Sequence, residues 1–537
     1  MAAKRTIIGT LLDRLIARQL SFPPETNSYT TTLVQIPIHN DLSQIHLAAD
    51  LYQPITPGNT KPKGTILIRS PYGRGFLFVV ISARPYVARG YNVLFVSCRG
   101  TFGSGGGFDP WRNEEEDGHA VVQWMRGQLW YTGSFATLSG SYLGFMQWAL
   151  LKNPPQDMMA AVIQCAPHDF SGQLWGTGAL ALEWVIWGEN VLHQEETGLW
   201  KRLEAMNTTK RMKPVLDRVP LGESAKEHFS GQAPWLDFVV DHPDTAELFY
   251  EPMKFGDALE RAELPIILIG GWQDVFVKQT VQQYTRLSER QTNVALLMGP
   301  WNYIQSSMDS KVYKQSYDWL KEHLAKEGNQ ARKPGVQYFL TGAKIWREIP
   351  KWPPLTTPMT FYFNEQKQLS QEEPTADSGA SSFTFDYKQP TPTIGGNLLF
   401  GGGNHDDTAL SLRSDVLSYT TLPLERDLEV LGKMTVELTH SSNTPNVDLS
   451  VRVSEVNTKG RSRVITETYQ RLDPARNTAI VTLHLDDCAH RFEKGNRLRL
   501  YIAGASHPKY AMVAESAFHT IRYGKKTVSK IILPVAL

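Results

Sequence analysis

The segment 137–144, TLSGSYLG, contains a serine in the pattern of a tight turn between a strand and a helix. A serine at such a turn is pushed out at the top of the sheet, where its hydroxyl can attack a carbonyl carbon. The backbone N–H of the next residue, Tyr142, then faces the oxygen that becomes negatively charged. Gly140 and Gly144 leave the space that a strained turn needs. The motif predicts Ser141 as a nucleophile, and the alternative is an ordinary strand-to-helix turn.

An acidic residue follows a later apolar run. Residues 265–269, PIILI, are typical of a buried strand, and GGWQDVF follows directly. Asp274 therefore stands just past the carboxyl end of a predicted strand, where the acid of a catalytic triad belongs. The alternative is an aspartate that only caps a turn.

The elements around these residues alternate between short apolar runs and amphipathic helical stretches. Strands separated by helices predict βαβ units and a parallel sheet, so the fold class is α/β. The stretch 168–260, between the apolar runs 161–163 and 265–269, is rich in Trp, Leu, Glu and Lys and lacks clear strand runs. This composition predicts a helical cap over the carboxyl edge of the sheet. The predicted strand runs are 65–68, 93–96, 161–163, 265–269 and 294–298.

Beyond about residue 350 the pattern changes to short segments that alternate apolar and polar residues, as in 433–438, 447–453 and 496–502. Such segments predict an antiparallel β-sandwich or jelly roll. The predicted boundaries are an N-terminal extension at 1–31, an α/β domain at 32–167 and 261–349, the cap at 168–260, and the jelly roll at 350–537.

The N-terminal extension carries apolar residues at the spacing of one helical face: Ile8, Leu11, Leu12, Leu15 and Ile16. This spacing predicts an amphipathic helix docked on the body of the protein. A transit peptide and a membrane-surface anchor are the alternatives.

Composition limits the partners. The 537 residues include 55 Lys+Arg and 54 Asp+Glu, and this balance gives no general attraction to nucleic acid. Three cysteines without zinc-binding spacing predict neither a disulfide framework nor a metal site, and they favour a cytoplasmic location. Apolar runs are too short to predict a membrane span. We expect no metal or organic cofactor, and the oligomeric state is left open. The 14 Trp, 20 Tyr and 22 Phe favour an aromatic-lined pocket for an apolar small molecule.

Several segments, in order along the chain, resemble the cocaine esterase-like (CocE/NonD) hydrolases, relatives of the X-Pro dipeptidyl-peptidases. They are LAADLY at 47–52, RSPY at 69–72, CRGTFGS at 98–104, SYLG at 141–144, GWQD at 271–274, GPW at 299–301, GGNLLF at 395–400 and HPKY at 507–510. The resemblance implies an α/β-hydrolase domain with a helical cap and a C-terminal jelly roll.

The resemblance also implies roles. Ser141 matches the family's nucleophile and Asp274 its triad acid, while Tyr72 matches a tyrosine whose hydroxyl joins the Tyr142 N–H in the oxyanion hole. An apolar substrate pocket is implied for Trp175, Trp187, Phe276, Leu399 and Phe400. For each of these five residues the alternative is core packing.

Two family positions differ, and the first, Ser139 where the family has a glycine at the elbow, is a small change. The family's base is a histidine two residues after the tryptophan of GPW, and here GPWNY places Tyr303 there. A phenol with a pKa of about 10 is only about one part in a thousand ionised at pH 7. The sequence therefore predicts a serine-hydrolase-like enzyme with a non-standard triad, acting on an ester, amide or activated carbonyl.

Three explanations account for the missing histidine. His168, after the predicted strand 161–163, could reach Ser141 as an alternative base. The oxyanion donors could stabilise an enolate instead, which permits a cyclase, a condensing enzyme or a lyase. The chain could also bind a ligand without catalysis.

Overall fold

The computed structural model describes residues 2–40, 43–58, 60–196, 208–328 and 335–537. Its described strands up to Ile349 form one 11-stranded sheet. They are β1 (Ala3–Lys4), β2 (Ser28–Asn40), β3 (Ser43–Ile55), β4 (Thr65–Ser70), β5 (Asn92–Ser97), β6 (Phe135–Gly140), β7 (Met158–Gln164), β8 (Ile266–Gln273), β9 (Val294–Asn302), β10 (Val336–Leu340) and β11 (Ile345–Ile349).

The spatial order of this sheet is β1-β2-β3-β5-β4-β6-β7-β8-β9-β10-β11. The strands from β5 to β10 in that order pair in parallel, and the strands at both edges pair antiparallel. All residues of β4 and β5 are buried, as expected of central strands that are covered on both faces. The carboxyl ends of β6, β8 and β9 lie along one edge, and this edge carries the candidate site.

Helices cover the sheet. Those outside the cap are α1 (Ile7–Gln19), α2 (Phe76–Ser82), α3 (Arg84–Val87), α4 (Glu114–Arg126), α5 (Ser141–Leu151), α12 (Val277–Glu289), α13 (Tyr303–Ser306) and α14 (Ser310–His323). Between β7 and β8 the described helices are α6 (Phe170–Trp175), α7 (Glu183–Leu192), α8 (Thr208–Leu216), α9 (Leu221–Phe229), α10 (Pro234–Asp241) and α11 (Gly256–Arg261), with a 3-10 turn at Leu248–Met253. Among the described helices, none is both long enough and apolar enough to cross a bilayer.

The C-terminal part forms a second, 13-stranded sheet system with its own hydrophobic core. Its strands are β12 (Thr356–Phe363), β13 (Gln368–Ser370), β14 (Gly379–Phe385), β15 (Val416–Thr421), β16 (Leu428–Gly432), β17 (Thr435–Ser442), β18 (Asp448–Val456), β19 (Ser462–Arg471), β20 (Ile480–His484), β21 (Cys488–Phe492), β22 (Arg497–Ala503), β23 (Ala517–Tyr523) and β24 (Lys530–Ala536). Alternating burial along β14, at Ser381, Phe383 and Phe385, matches the period-2 pattern of the sequence.

The N-terminal helix forms and packs on the body of the protein, but the apolar face that its spacing defines is only partly covered. Leu11 and Leu15 are 62% and 56% exposed, whereas Asp13 is buried. The Asp13 carboxylate accepts a hydrogen bond of 2.7 Å from the hydroxyl of Tyr29 and pairs with Arg5 at 3.0 Å. A carboxylate in a position to pair with buried cations therefore determines which face of α1 packs inward.

Candidate active site

The turn at Ser141 has the geometry of a nucleophile elbow. β6 ends at Gly140 and α5 begins at Ser141, whose φ of +57° lies in the strained left-handed region. The Ser141 N–H donates to the carbonyl of Cys165 at 3.0 Å. A Cβ on Gly144 would lie 2.4 Å from the Cβ of Ala166. The tight packing of α5 on the loop after β7 thus requires glycine and holds the Ser141 side chain at the wall of a cavity.

Two hydrogen-bond donors lie beside Ser141. The N–H of Tyr142 belongs to the first turn of α5, where it has no acceptor within the helix. The Tyr72 hydroxyl lies in hydrogen-bond contact with Ser141, and burial raises its pKa well above 10. The indole N–H of Trp187 donates to the Tyr72 oxygen at 3.0 Å. Because that oxygen already accepts a hydrogen bond from Trp187, the Tyr72 hydroxyl is set to donate one of its own.

Tyr303 approaches Ser141 from β9. It is the first residue of α13, and the side chain of Asn302 caps that helix. The Tyr303 hydroxyl is buried in hydrogen-bond contact with Ser141, and burial raises its pKa above 10. Its ring packs edge-on against Phe276, with ring centroids 5.9 Å apart. The Ser141 hydroxyl therefore lies in contact with two neutral phenols, Tyr72 and Tyr303.

Asp274 follows β8 and is completely buried. Its nearest polar neighbours are the Cys165 thiol and the N–H groups of Val275 and Phe276. Among the described residues, neither carboxyl oxygen has a hydrogen-bond partner of good geometry. Because burial penalises the charged form, the pKa of Asp274 is raised to about 7.

The cavity at Ser141 has a volume of about 230 Å³. Its wall is mainly apolar and aromatic and comes from α2, α3, α5, α13 and α14: Phe78, Ile81, Tyr86, Leu143, Ile304 and Tyr313. The Tyr86 hydroxyl is buried and has no hydrogen-bond partner among the described residues. Sequence reasoning missed this wall, although the apolar run 76–81 shortly after Tyr72 is a signal for part of it.

The five residues that the family resemblance implied for the substrate pocket do not line this cavity, among the residues that the structure describes. They are Trp175, Trp187, Phe276, Leu399 and Phe400. Trp187 and Phe276 lie behind the cavity and contact Tyr72 and Tyr303. In the cap, the indole N–H of Trp175 donates to the carbonyl of Val239 at 2.9 Å.

The two predicted pocket residues from the C-terminal part also lie elsewhere. Leu399 is buried and its N–H donates to Glu183, whereas Phe400 is 43% exposed. The placement of these two residues and of Trp175 differs from the predicted direct lining of the cavity: Trp175 packs within the cap, Leu399 is buried elsewhere, and Phe400 is largely exposed to solvent.

His168 lies at a different cavity, of about 370 Å³, between the cap and the C-terminal sheets. Its Nδ1 is 3.3 Å from the side-chain nitrogen of Gln283, its ring packs against Trp148, and burial lowers its pKa to about 4. This placement argues against His168 as a base for Ser141. The described part of the chain also contains no group of three or more His, Cys, Asp or Glu side chains that could hold a metal ion.

Comparison with known proteins gives matches along most of the chain. The family described as X-Pro dipeptidyl-peptidase (S15 family) matches residues 43–305, and the X-Pro dipeptidyl-peptidase C-terminal non-catalytic domain matches residues 329–528. The cocaine esterase of Rhodococcus sp. (strain MB1 Bresler) is 26% identical, over 91% of this chain and 96% of that protein.

Solved structures agree in fold. An aminopeptidase from a marine sediment Thaumarchaeota archaeon superposes with a TM-score of 0.81 at 18% identity, covering 96% of this chain and 98% of that one. An α-amino acid ester hydrolase superposes with a TM-score of 0.79, also at 18% identity, covering 95% and 97%. The predicted α/β-hydrolase fold with a C-terminal β domain is confirmed.

Proposed function

Because the chain belongs to the cocaine esterase-like hydrolases of the X-Pro dipeptidyl-peptidase (S15) family, we propose that it acts on the carbonyl group of an apolar small molecule held at Ser141. The mainly apolar wall of the 230 Å³ cavity supports an uncharged substrate. We place the substrate carbonyl oxygen between the Tyr72 hydroxyl and the Tyr142 N–H, the two donors beside Ser141.

These two donors would stabilise the negative charge that develops on the oxygen. Both are fixed before the substrate arrives, since Tyr72 is held by Trp187 and the Tyr142 N–H belongs to α5. Removing one such donor from a hydrolase typically costs about 3 to 4 kcal/mol of transition-state stabilisation. The site therefore supports strong polarisation of a carbonyl group.

The observation that carries the proposal is the Tyr303 phenol in contact with Ser141. Its raised pKa keeps it protonated at neutral pH, so it cannot accept the serine proton as a histidine does. A protonated phenol can instead donate a hydrogen bond to an oxygen of the substrate. This favours a reaction of a polarised carbonyl in which a basic group of the substrate itself takes up the proton that is released, such as an intramolecular cyclisation, condensation or elimination.

A second candidate is hydrolysis through an acyl-serine. The strained φ of +57° at Ser141 favours it, because that turn exposes a serine for nucleophilic attack. Without a nearby base, the attack would be slow. Loss of the triad histidine in subtilisin, a known reference case, lowers turnover by about a factor of 10⁶.

A fluorophosphonate probe distinguishes the two candidates, because it reacts with activated serines. We expect no labelling of the native chain during a time in which a conventional serine esterase is fully labelled. The Ser141→Ala variant serves as the background, and the Tyr303→His variant shows that the probe can reach the cavity. Rapid labelling of the native chain that disappears in Ser141→Ala would overturn the proposal and favour acyl transfer.

Labelling does not test catalysis by itself, so incubation with a panel of apolar ketones and esters completes the experiment. Product analysis by mass spectrometry should detect isomerised, cyclised or eliminated products that depend on Tyr72. Binding of panel compounds without any product would contradict catalysis and favour a ligand-binding protein.

A further inference from the structure

Four aliphatic side chains of α1 are turned to solvent. Ile7, Ile8, Leu11 and Leu15 are 56% to 83% exposed. The opposite face packs on the body through Asp13, which pairs with Arg5 and Arg84. A row of exposed aliphatic side chains on one helix is a feature of surfaces that bind a partner or a membrane.

The first turn of α2 extends this surface. Phe76 is 47% exposed and Leu77 is 77% exposed. α1 packs beside α2, and Arg84 connects the two, because its guanidinium lies 5.2 Å from the Phe76 ring centroid and 3.3 Å from the Asp13 carboxylate. We define the docking face as Ile7, Ile8, Leu11, Leu15, Phe76 and Leu77.

The charges around the docking face are basic. Lys4 and Arg18 are exposed, and neither forms an ion pair with another described residue. Arg14 pairs with Glu25, and Asp13, the acidic residue of α1, is buried. An apolar stripe bordered by basic residues is the arrangement of helices that lie in the interface of an anionic bilayer. A second copy of the chain on this face would bring like charges together.

The docking face continues into the candidate active site. Phe78, on the same helix as Leu77, is 38% exposed and also forms part of the wall of the Ser141 cavity. Its ring stacks on Tyr72, with centroids 6.3 Å apart and planes inclined by 14°. One helix therefore links the exposed apolar surface to the proposed oxyanion donor.

We propose that the docking face binds an anionic lipid surface and that the Ser141 cavity opens beside the bound membrane. An apolar substrate dissolved in the lipid would then reach Ser141 along α2 without crossing bulk water. The entry route rests on the proposed function, whereas the membrane binding does not. The tests below measure binding alone, so they can fail or succeed independently of the catalytic proposal.

Sedimentation with vesicles tests the binding. We expect the 537-residue chain to co-sediment with phosphatidylcholine vesicles that contain about a third phosphatidylglycerol, and to bind pure phosphatidylcholine more weakly. The Leu11→Asp/Leu77→Asp variant should bind these anionic vesicles at least about tenfold more weakly than the native chain. The matched control is Leu129→Asp/Leu412→Asp, because those leucines are 107% and 86% exposed but lie elsewhere. Equal binding by both double variants, or no binding by the native chain, would overturn the proposal.

A site-specific fluorophore locates the contact. The three cysteines are buried and unpaired, so an environment-sensitive maleimide dye can be attached selectively to Leu77→Cys. We expect a blue shift of its emission on adding the anionic vesicles, and no shift for the same dye on Leu129→Cys. The alternative occupant of the docking face is a second copy of the chain, and light scattering tests it by measuring the molar mass of the native protein in solution. A dimer that dissociates in Leu11→Asp/Leu77→Asp would assign the docking face to a second copy and overturn lipid binding.

Discussion

The carboxyl group of Asp274 lies near Tyr303, within electrostatic range of its phenol, and has no hydrogen-bond partner of good geometry among the described residues. In a catalytic triad the acid accepts an N–H bond from the imidazole and stabilises the imidazolium that forms. Apart from its hydroxyl, a tyrosine ring carries only C–H groups, so it has no N–H to donate to the carboxylate of the acid. Asp274 is consequently left as a buried carboxyl without a well-formed hydrogen bond from any described residue, beside a neutral phenol.

Replacing Tyr303 with histidine should create ester hydrolysis. An imidazole at this position would lie between Asp274 and Ser141 and could take the serine proton. General-base catalysis of this kind typically contributes a factor of about 10² to 10⁴. We expect Tyr303→His to hydrolyse phenyl acetate at least about 10² times faster than the native chain, as measured by release of phenol.

Two further variants serve as controls for this gain in ester hydrolysis. Tyr303→Phe should gain nothing, because it has no nitrogen to accept a proton. Asp274→Asn in the Tyr303→His background should remove most of the gain, because the imidazole then loses its carboxylate partner. A gain that persists fully in the Asn variant would show that Asp274 does not support the new base.

The fold and the positions of Ser141 and Asp274 could be predicted from the sequence because they depend on short-range patterns. Buried strands give continuous apolar runs, and functional residues in parallel sheets follow strand ends. The contact of Tyr303 with Ser141 agrees with its position after β9. Its neutral state follows only from the burial that the three-dimensional structure adds.

The cavity wall and the orientation of α1 could not be predicted in the same way. Periodicity shows which residues of a helix share a face, but not which face packs inward. In α1 the pairing of Asp13 with Arg5 and Arg84 outweighs four exposed aliphatic side chains. Likewise, an aromatic residue such as Trp175 can pack within the cap as readily as it can line a pocket.

Asp274 should make stability depend on pH. Its pKa of about 7 in the folded protein, against about 4 in the unfolded chain, favours folding below pH 4 and loses that contribution as pH rises through 7. Asp274→Asn does not titrate, so its advantage in the free energy of unfolding over the native chain should grow by up to about 4 kcal/mol between pH 4 and 8. Urea unfolding at both pH values measures this difference. A constant difference would mean that burial does not raise the pKa of this carboxyl above its value in the unfolded chain. Glu183, whose pKa is also raised to about 7, is present in both proteins and cancels.

Gly144→Ala should destabilise the elbow. The new Cβ would lie 2.4 Å from the Cβ of Ala166, so α5 or the loop after β7 must shift. Overpacking of this kind costs about 1 to 3 kcal/mol, and the better helix propensity of alanine offsets about 1 kcal/mol of it. Gly107→Ala is the control, because a Cβ there meets nothing within 4 Å. Thermal unfolding of both variants checks the prediction, and equal melting temperatures would contradict the close packing.

Tyr86→Phe should change both the free energy of unfolding and the ligand preference, whereas Tyr91→Phe should change only the free energy of unfolding. The Tyr86 and Tyr91 hydroxyls are both buried without a partner among the described residues, but only Tyr86 is among the residues that line the Ser141 cavity. Removing either unpaired hydroxyl should raise the free energy of unfolding by about 1 kcal/mol. Only Tyr86→Phe should change the preference between two aryl ketones that differ by a terminal hydroxyl. We expect the native chain and Tyr91→Phe to bind the hydroxylated ketone about five- to tenfold more tightly, a preference that Tyr86→Phe loses. Calorimetric titration measures it, and an unchanged preference in Tyr86→Phe would show that this hydroxyl does not meet the ligand.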